Sequence, residues 1–393
     1  MALRFVPRRE PSRTMLFATP VLAVMLTLVV GAVVFTLLGY DGFGAVREIF
    51  VTPLFNPYRW QDLLVKAAPL ALIAVGLSVG FRANVWNIGA EGQYVMGGLA
   101  GTGVALLTLE MTGPWILPLM VVAGIVGGVV WAAIPALLRT ALGVSEILSS
   151  LMLNYVAIQI LYYLMRGPWK DPMGFNFPQT AMFSADQTLP FVVPGTLIHL
   201  GIPVALAVAL ALWFAVSRTV AGFQVRVVGL SPQAARYGGF RENRVVWMTL
   251  ALGGALAGLA GIFEAAGPFG QMVPAFPVGY GFTAIIVAFL GRLHPIGIVL
   301  AALVLALTYV GGESAQTAIG LPAAAIGVFQ AMMLFFLLAV DVLVRYRLAL
   351  GGSGGSGGLG GPAPATLAPP AGAATLPEAH LSQTKNAKGE VTA

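Results

Sequence analysis

Long apolar stretches without a charged residue recur along this chain and limit what it can fold into. The first, from Met15 to Leu38, is uncharged throughout, and about 20 apolar residues let a helix cross the hydrocarbon core of a bilayer. Only 9% of the 393 residues are charged, whereas a soluble globular chain carries roughly 25%. The chain therefore lacks the polar surface of a water-soluble domain, and we expect most of it to lie in lipid.

Further apolar runs predict an all-α polytopic membrane protein with about ten transmembrane helices, within a range of eight to eleven. The runs after the first cover residues 63–80, 94–109, 115–138, 147–164, 198–217, 246–266, 278–291, 295–310 and 323–344. Several are shorter than a full crossing and rich in Gly and Pro. Broken helices are tolerated at membrane depth where they line a cavity or pack inside protein, so we expect some helices to be broken or re-entrant.

The basic residues indicate the orientation of these helices. Arg4, Arg8, Arg9 and Arg13 precede the first run, and loops rich in Lys and Arg stay in the cytoplasm. Ten spans threaded from a cytoplasmic N-terminus place most of the Lys and Arg residues on one side, including five in the loop 218–245. We therefore expect both termini to be cytoplasmic. The net charge of +6 is scattered between apolar runs, which argues against a nucleic-acid partner.

Composition divides the chain into three regions. Residues 1–14 form a basic N-terminus, residues 15–345 form the transmembrane domain, and residues 346–393 form a tail rich in Gly, Ser, Pro and Ala. Such a tail buries too little apolar surface to offset its ordering entropy, so we expect it to be disordered. The GGSGGSGG stretch within it is typical of natural and engineered linkers alike.

Residues that support catalysis or metal binding are few and far apart. The chain has no cysteine, and its three histidines are His199, His294 and His380, so no metal cluster or Cys/His pair is expected. None of the lysines follows a glycine, which excludes a Walker A phosphate loop. The sequence therefore predicts a chain that is not an enzyme and that binds no cofactor itself.

A first polar segment, Gly80 to Gln93, lies between two apolar runs. Its hydrogen-bonding side chains are those of Arg82, Asn84, Asn87, Glu91 and Gln93. Polar groups at membrane depth are costly and usually face a pathway or a partner. The alternative is an ordinary cytoplasmic turn with Arg82 and Glu91 solvated or paired, and position alone favours neither interpretation.

A second segment, within the basic loop, carries the signals of a short capped helix. Ser231 is the expected N-cap, Pro232 the first helical residue, and Gly238 the stop. A helix of about two turns that spans nothing is suited to docking into a partner's cleft. Lying on the membrane face beside anionic lipid is the alternative.

Five motifs, in order along the chain, resemble the inner-membrane permease subunits of bacterial ABC importers. The motifs are FRANVWNIGAEGQ (81–93), GVSEILSSLMLNYVA (143–157), GLSPQAARYGGF (229–240), ALAGLAGIFEAAG (255–267) and GYGFTAIIVAFLG (279–291). The resemblance covers roughly residues 60–345 and falls in the branched-chain amino acid and simple-sugar permease superfamily. Within it, the chain looks like the longer permease of the nucleoside branch that is linked to basic membrane lipoproteins. Ribose-type permeases carry an aspartate-containing glycine motif in place of NIGAEGQ, which argues against a plain sugar permease.

This resemblance implies a non-catalytic permease of an ATP-driven importer for nucleosides or related purines, with a simple sugar or polyol as the alternative. It implies a second permease, distinct or identical, as well as ATPase subunits that bind ATP and Mg²⁺ and an extracytoplasmic substrate-binding protein. It also implies location in the bacterial inner membrane.

The resemblance also assigns site residues. Coupling to the ATPase is expected at Gly229, Ser231, Pro232, Ala234, Ala235, Arg236 and Gly238, and the substrate path at Asn84, Asn87, Glu91, Gln93 and Glu264. For Glu264 the alternative is a solvated helix end. Asn154 and Tyr155 are equally suited to bonding neighbouring helices or substrate, while Glu313 and Asp341 are expected to reach interface water. An ion-coupled secondary transporter is the alternative of another class, with only Glu91 and Glu264 as candidate coupling sites.

Overall fold

The fold was taken from a computed structural model, which describes residues 2–7 and 13–351 and is mainly helical there. The helices of this part are α1 (Arg13–Leu37), α2 (Gly42–Phe50), α3 (Thr52–Phe55), α4 (Arg59–Arg82), α5 (Ala90–Leu107), α6 (Ile116–Leu142), α7 (Glu146–Arg166), α8 (Gly201–Arg218), α9 (Val220–Leu230), α10 (Pro232–Tyr237), α11 (Glu242–Glu264), α12 (Tyr280–Leu290), α13 (Pro295–Ile319) and α14 (Ala324–Arg345). A 3₁₀ turn covers Ala185–Gln187, and a π-helical turn, Ala265–Phe269, extends α11.

Each of the ten apolar runs forms one helix, so the predicted all-α architecture is confirmed. Eight helical segments of the described chain are long and apolar enough to cross a membrane. The two runs that fall short are α5, which carries Glu91 and Gln93, and α12, which has only 11 residues. The N-terminal ends of these two helices meet inside the bundle.

A two-stranded antiparallel ladder joins the two ends of the described chain. Strand β1 (Ala2–Pro7) pairs with strand β2 (Tyr346–Gly351). Strand β1 precedes α1 in the chain and β2 directly follows α14, and these two helices also pack together. Residues 346–351, assigned to the tail from composition, are therefore in a strand. The remainder of the expected tail, 352–393, lies outside the described residues, as do Arg8 and Arg9 of the basic N-terminus.

Helices α4 and α11 form the centre of the bundle, and their residues are mostly buried. Helices α1, α7 and α8 instead expose large apolar side chains, such as Val29, Met152 and Phe214. An apolar outer surface around a buried centre is what a lipid environment favours, because lipid does not penalise exposed apolar groups.

Glycines bring α6 and α11 into backbone contact. A Cβ atom on Gly128 of α6 would collide with the carbonyl oxygen of Gly254, and one on Gly258 of α11 with the carbonyl oxygen of Gly124. Small residues spaced four apart allow this approach, and close packing is a main source of stability between helices in lipid.

We expect Gly258→Val to destabilise the protein by about 1–3 kcal/mol, because the added side chain forces α6 and α11 apart. The midpoint of thermal unfolding of the purified protein in detergent measures this effect. Gly327→Val in α14 is the matched control, since no atom lies within 4 Å of a Cβ built there. Equal unfolding midpoints for the two variants would contradict the packing argument.

Candidate functional site: a broken helix and its supports

The polar segment found in the sequence is a break between α4 and α5. Helix α4 ends at Arg82, where the amides of Ala83 and Val85 both donate to the Gly80 carbonyl at 2.9 Å. Residues 83–89 have no regular structure, and α5 begins at Ala90. The Arg82 guanidinium donates to the Leu293 carbonyl at 2.6 Å, so it is held by the protein and does not point freely into solvent.

We call the end of the bundle that carries this contact the basic end. It also holds the C-terminus of α6 and the N-termini of α7, α11 and α13. The arginines along it that pair or bond with neighbouring elements are Arg82, Arg139, Arg236 and Arg292.

Helix α12 begins inside the bundle. It ends beside the turn 291–294 at the basic end, and its 11 residues give it a length of about 16 Å. Its N-terminus therefore lies about half way through a hydrocarbon core of about 30 Å. A helix that starts at this depth leaves backbone N–H groups without intrahelical partners, and these need an acceptor from elsewhere in the protein.

Glu91 supplies that acceptor. Its carboxylate accepts from the backbone N–H of Gly279 at 2.9 Å and from that of Gly281 at 2.6 Å, and its side chain is buried. Glu91 also lies in the first turn of α5, so the N-terminal ends of α5 and α12 meet at one carboxyl group. Helix N-termini carry partial positive charge, which favours a carboxylate at this position.

Glycine is required at both donor positions of this contact. A Cβ on Gly281 would collide with the backbone of Glu91, and Gly279 has φ +85°, a conformation that side chains with a Cβ rarely adopt. The sequence GYG at 279–281 therefore allows α12 to approach the start of α5 closely.

A polar stripe on α7 binds the backbone of the break. The Glu146 carboxylate accepts from Trp86 N–H at 3.2 Å, and the Ser150 hydroxyl accepts from Ile88 N–H at 3.2 Å. Asn154 donates to the Ile88 carbonyl at 2.9 Å and accepts from Gly92 N–H at 2.8 Å. These three α7 residues are spaced i, i+4 and i+8, which places them on one face of the helix.

The stripe explains how an irregular segment is stable inside the bundle. Unpaired backbone groups away from water are costly, and side chains of a neighbouring helix here replace the missing helical bonds. The sequence predicts that Asn154 contacts either a neighbouring helix or the substrate, and its side chain bonds the backbone of the break at Ile88 and of the first turn of α5 at Gly92. The spacing of Glu146, Ser150 and Asn154 was a signal in the sequence that we did not use.

Asn87 of the break and Gln93 of α5 bond to each other. Asn87 donates to Gln93 at 2.9 Å, Gln93 donates back at 3.1 Å, and Gly89 N–H also donates to the Asn87 oxygen at 3.0 Å. Asn87 and Gln93 are buried, whereas Asn84 is exposed and accepts from the Trp86 indole at 3.0 Å.

The expected path residues therefore separate into two groups. The side chains of Asn87, Glu91 and Gln93 are committed to internal hydrogen bonds, and that of Asn84 faces outward.

Glu264, the last path residue expected from the sequence, lies in a buried polar cluster beside this site. It is 2% exposed, so it does not lie at a solvated helix end, and it accepts from the Tyr280 hydroxyl at 3.3 Å. The Tyr280 ring packs edge-on against Tyr94 and Tyr309, and Lys66 Nζ lies 5.9 Å from its centroid. Tyr280 therefore links Glu264 to the start of α12.

Asp341 does more than reach interface water, because it pairs with Arg292 at 2.5 Å. Glu313 is exposed, as expected.

The capped helix predicted at the basic end is present as α10. Ser231 is its N-cap and accepts from Ala234 N–H at 3.3 Å, Pro232 is its first residue, and Gly238 follows its last. Ala235 is buried, whereas the Arg236 side chain is exposed. Gly229, just before α10, leaves no space for a side chain because a Cβ there would collide with the Arg82 carbonyl.

Glu91→Gln should lower the stability of the protein by about 1–3 kcal/mol. The amide retains one acceptor oxygen but turns an NH₂ group toward a backbone N–H of Gly279 or Gly281. Thermal unfolding in detergent measures the loss, and Glu110→Gln, at an exposed carboxylate, is the control. An unfolding midpoint equal to that of the control variant would show that the carboxylate does not hold α12.

Comparison with known proteins agrees with this architecture. Residues 60–338 match the family described as the branched-chain amino acid transport system permease component. The chain is 40% identical to the glucose ABC transporter permease of Haloferax volcanii, over 88% of this chain and 94% of that protein. It is also similar to nucleoside permeases. Identity is 27% to the nucleoside ABC transporter permease of Lactococcus lactis, over 86% of this chain and 94% of that protein. It is 29% to the guanosine ABC transporter permease of Bacillus subtilis, over 83% and 94% respectively.

The family match spans most of the chain and includes the break, the α7 stripe, α10 and α12. The expected absence of an enzymatic role agrees with it, because such permeases are non-catalytic subunits and the ATPase is a separate chain. The protein is a multi-pass membrane protein and belongs to the branched-chain amino acid transport system permease family of ABC transporters.

Proposed function

We propose that this chain forms, with a second permease, the translocation path of an ATP-driven importer, and that α10 is its contact with the ATPase. The proposal rests on the position of α10. It is a capped helix at the basic end that spans nothing, and its exposed side presents Arg236 and Tyr237. Its buried Ala235 belongs to the same apolar cluster as Val79, at the end of α4, and Val85, in the break.

This arrangement suits a helix that transmits movement. A rigid, capped element can carry a displacement, whereas a flexible loop would absorb it. Because α10 shares an apolar cluster with the break, a displacement of α10 is not independent of residues 83–89.

The relatives support a small polyhydroxylated solute as the substrate. One is named for glucose and two for nucleosides or guanosine, and all these solutes carry a ring with several hydroxyl groups. The relative at 40% identity favours a simple sugar as the first substrate to test. The NIGAEGQ motif and the two nucleoside relatives favour a nucleoside as the second.

Within this proposal, the break and α12 shape the path, and few of their side chains touch the solute. Asn84 is the predicted path residue that is exposed, while Asn87, Glu91 and Gln93 hold the backbone that presents it. Glu264 fixes the start of α12 through Tyr280. Weak contacts of this kind suit a conducting path, since tight binding would hinder release.

The remaining parts of the proposal concern location and partners. The basic end would face the cytoplasm of a bacterial cell, with both termini there, because loops rich in Lys and Arg are retained on that side. ATPase subunits holding ATP and Mg²⁺ would dock at this end, and an external substrate-binding protein at the other.

Replacement of Ser231-Pro232 by Gly-Gly should reduce both ATPase association and uptake, because it removes the N-cap and the preorganised first turn of α10. Glycine at the N-cap costs a few tenths of a kcal/mol, and loss of the proline that fixes the first helical residue costs about 0.4–1 kcal/mol more, which together weaken a helix of only six residues. Copurification of the ATPase and uptake of labelled solute measure the effect. The matched control is Asn56-Pro57→Gly-Gly, an exposed Xaa-Pro pair between α3 and α4. Unchanged association and uptake would show that α10 is not the ATPase contact.

Uptake assays should separate the two substrate classes. Cells that lack their own systems, and that express the permeases, ATPase and binding protein, should accumulate labelled glucose or labelled guanosine in an ATP-dependent manner. Uptake of glucose alone assigns the sugar, and uptake of guanosine alone assigns the nucleoside. Transport by this chain alone in vesicles without ATP would instead indicate an ion-coupled transporter and contradict the proposal.

A further inference from the structure

A chain of charged contacts connects α10 to the break. The Arg236 guanidinium of α10 lies 3.0 Å from the Glu242 carboxylate at the start of α11. Glu242 lies 3.9 Å from Arg139 near the end of α6, and Arg139 lies 2.5 Å from Glu146 at the start of α7. The same Glu146 carboxylate accepts from the backbone N–H of Trp86. Four side chains therefore join the proposed ATPase contact to the irregular segment between α4 and α5.

Each of the three inner charges suits the helix that carries it. Glu146 and Glu242 lie in the first turns of α7 and α11, and Arg139 lies in the last turn of α6. Acidic groups at N-termini and basic groups at C-termini complement the helix dipole. The charges are thus held at three helix ends, and a shift of one helix end changes its distance to the next charge.

Three of the four charged side chains are more buried than those of ordinary surface ion pairs. The side chains of Arg139, Glu146 and Glu242 are 23%, 12% and 27% exposed, whereas Arg236 at the α10 end is 71% exposed. Partly buried pairs are screened less by salt than exposed pairs. The contact between Arg139 and Glu146 is therefore screened less by salt than the contact between Arg236 and Glu242.

We propose that Arg139 and Glu242 are positioning residues that transmit a displacement of α10 to the break through Glu146. This inference rests on the proposed role of α10 and adds the route by which its movement reaches the path. Glu146 is the link, because one carboxylate binds both Arg139 and the backbone of Trp86. When α10 draws Glu242 away from Arg139, Arg139 is free to move Glu146 and with it residues 86–88.

Energetic coupling between sites is shown by variants that change it, not by a series of contacts. The absence of cysteine in this chain allows a direct readout. Val85→Cys places a thiol at a position in the break that is 1% exposed, with little change in volume. Its rate of labelling by a fluorescent maleimide reports the opening of the break. The rate is measured in the complex with the ATPase, first without nucleotide and then after trapping with ATP, Mg²⁺ and orthovanadate.

In this Val85→Cys background the labelling rate should differ between the two states. Arg139→Gln and Glu242→Gln should each reduce the ratio of the two rates roughly threefold or more. The double variant should reduce the ratio no further than either single variant, because both residues belong to the same series of charged contacts. Arg139→Lys and Glu242→Asp, which keep the charge, should restore part of the ratio. Asp341→Asn, which removes the Arg292 pair at the basic end without touching α10 or the break, should leave it unchanged.

Any one of three results would overturn the proposal: an unchanged ratio in both single variants, additive effects in the double variant, or equal labelling rates of the Val85→Cys parent in the nucleotide-free and trapped complexes. The variants could also lose thermal stability while the folded fraction keeps an unchanged ratio. This result would show that the ion pairs only stabilise the fold, and it would likewise overturn the proposal. Failure of the parent chain to copurify with an ATPase is a separate result, and it contradicts the proposed function itself.

Discussion

The contact on which this fold depends is the one between a single carboxylate and the N-terminus of a helix that begins inside the bundle. Helix α12 cannot start at that depth unless its free N–H groups have an acceptor, and Glu91 accepts from two of them. The acceptor itself stands at the first turn of α5, which also starts inside the bundle. The starts of two helices inside the bundle therefore meet at one carboxyl group.

Polar side chains and glycines both support this contact. Helix α7 satisfies the backbone of the break through Glu146, Ser150 and Asn154, and Tyr280 connects the start of α12 to Glu264. Glycines at 279 and 281 permit the approach, as those of α6 and α11 permit the close packing of those two helices. Polar residues in the interior thus mainly support irregular backbone, which is the condition under which such backbone exists in a membrane protein.

The sequence predicted the helices well because their signals are local. Apolar runs mark each long helix, and the Ser-Pro start and Gly stop of α10 are read from neighbouring residues. The partners of the polar residues were not predictable in this way. Glu91 lies 188 positions before the amide at Gly279 that it binds, and Asn154 lies more than 60 positions after the residues it binds. Asn87, Glu91 and Gln93 were recognised as unusual, but only the three-dimensional arrangement shows that their bonds are internal.

The segment between α7 and α8 is long and has little regular structure, yet it is anchored along its length. Its backbone amides at Thr180, Phe183 and Leu189 donate to the carbonyls of Met272, Gly270 and Ala266, just beyond the end of α11. The two stretches therefore run antiparallel to each other and are joined at three places. In related permeases they should vary together, and a chimaera that exchanges one between relatives must carry the other with it.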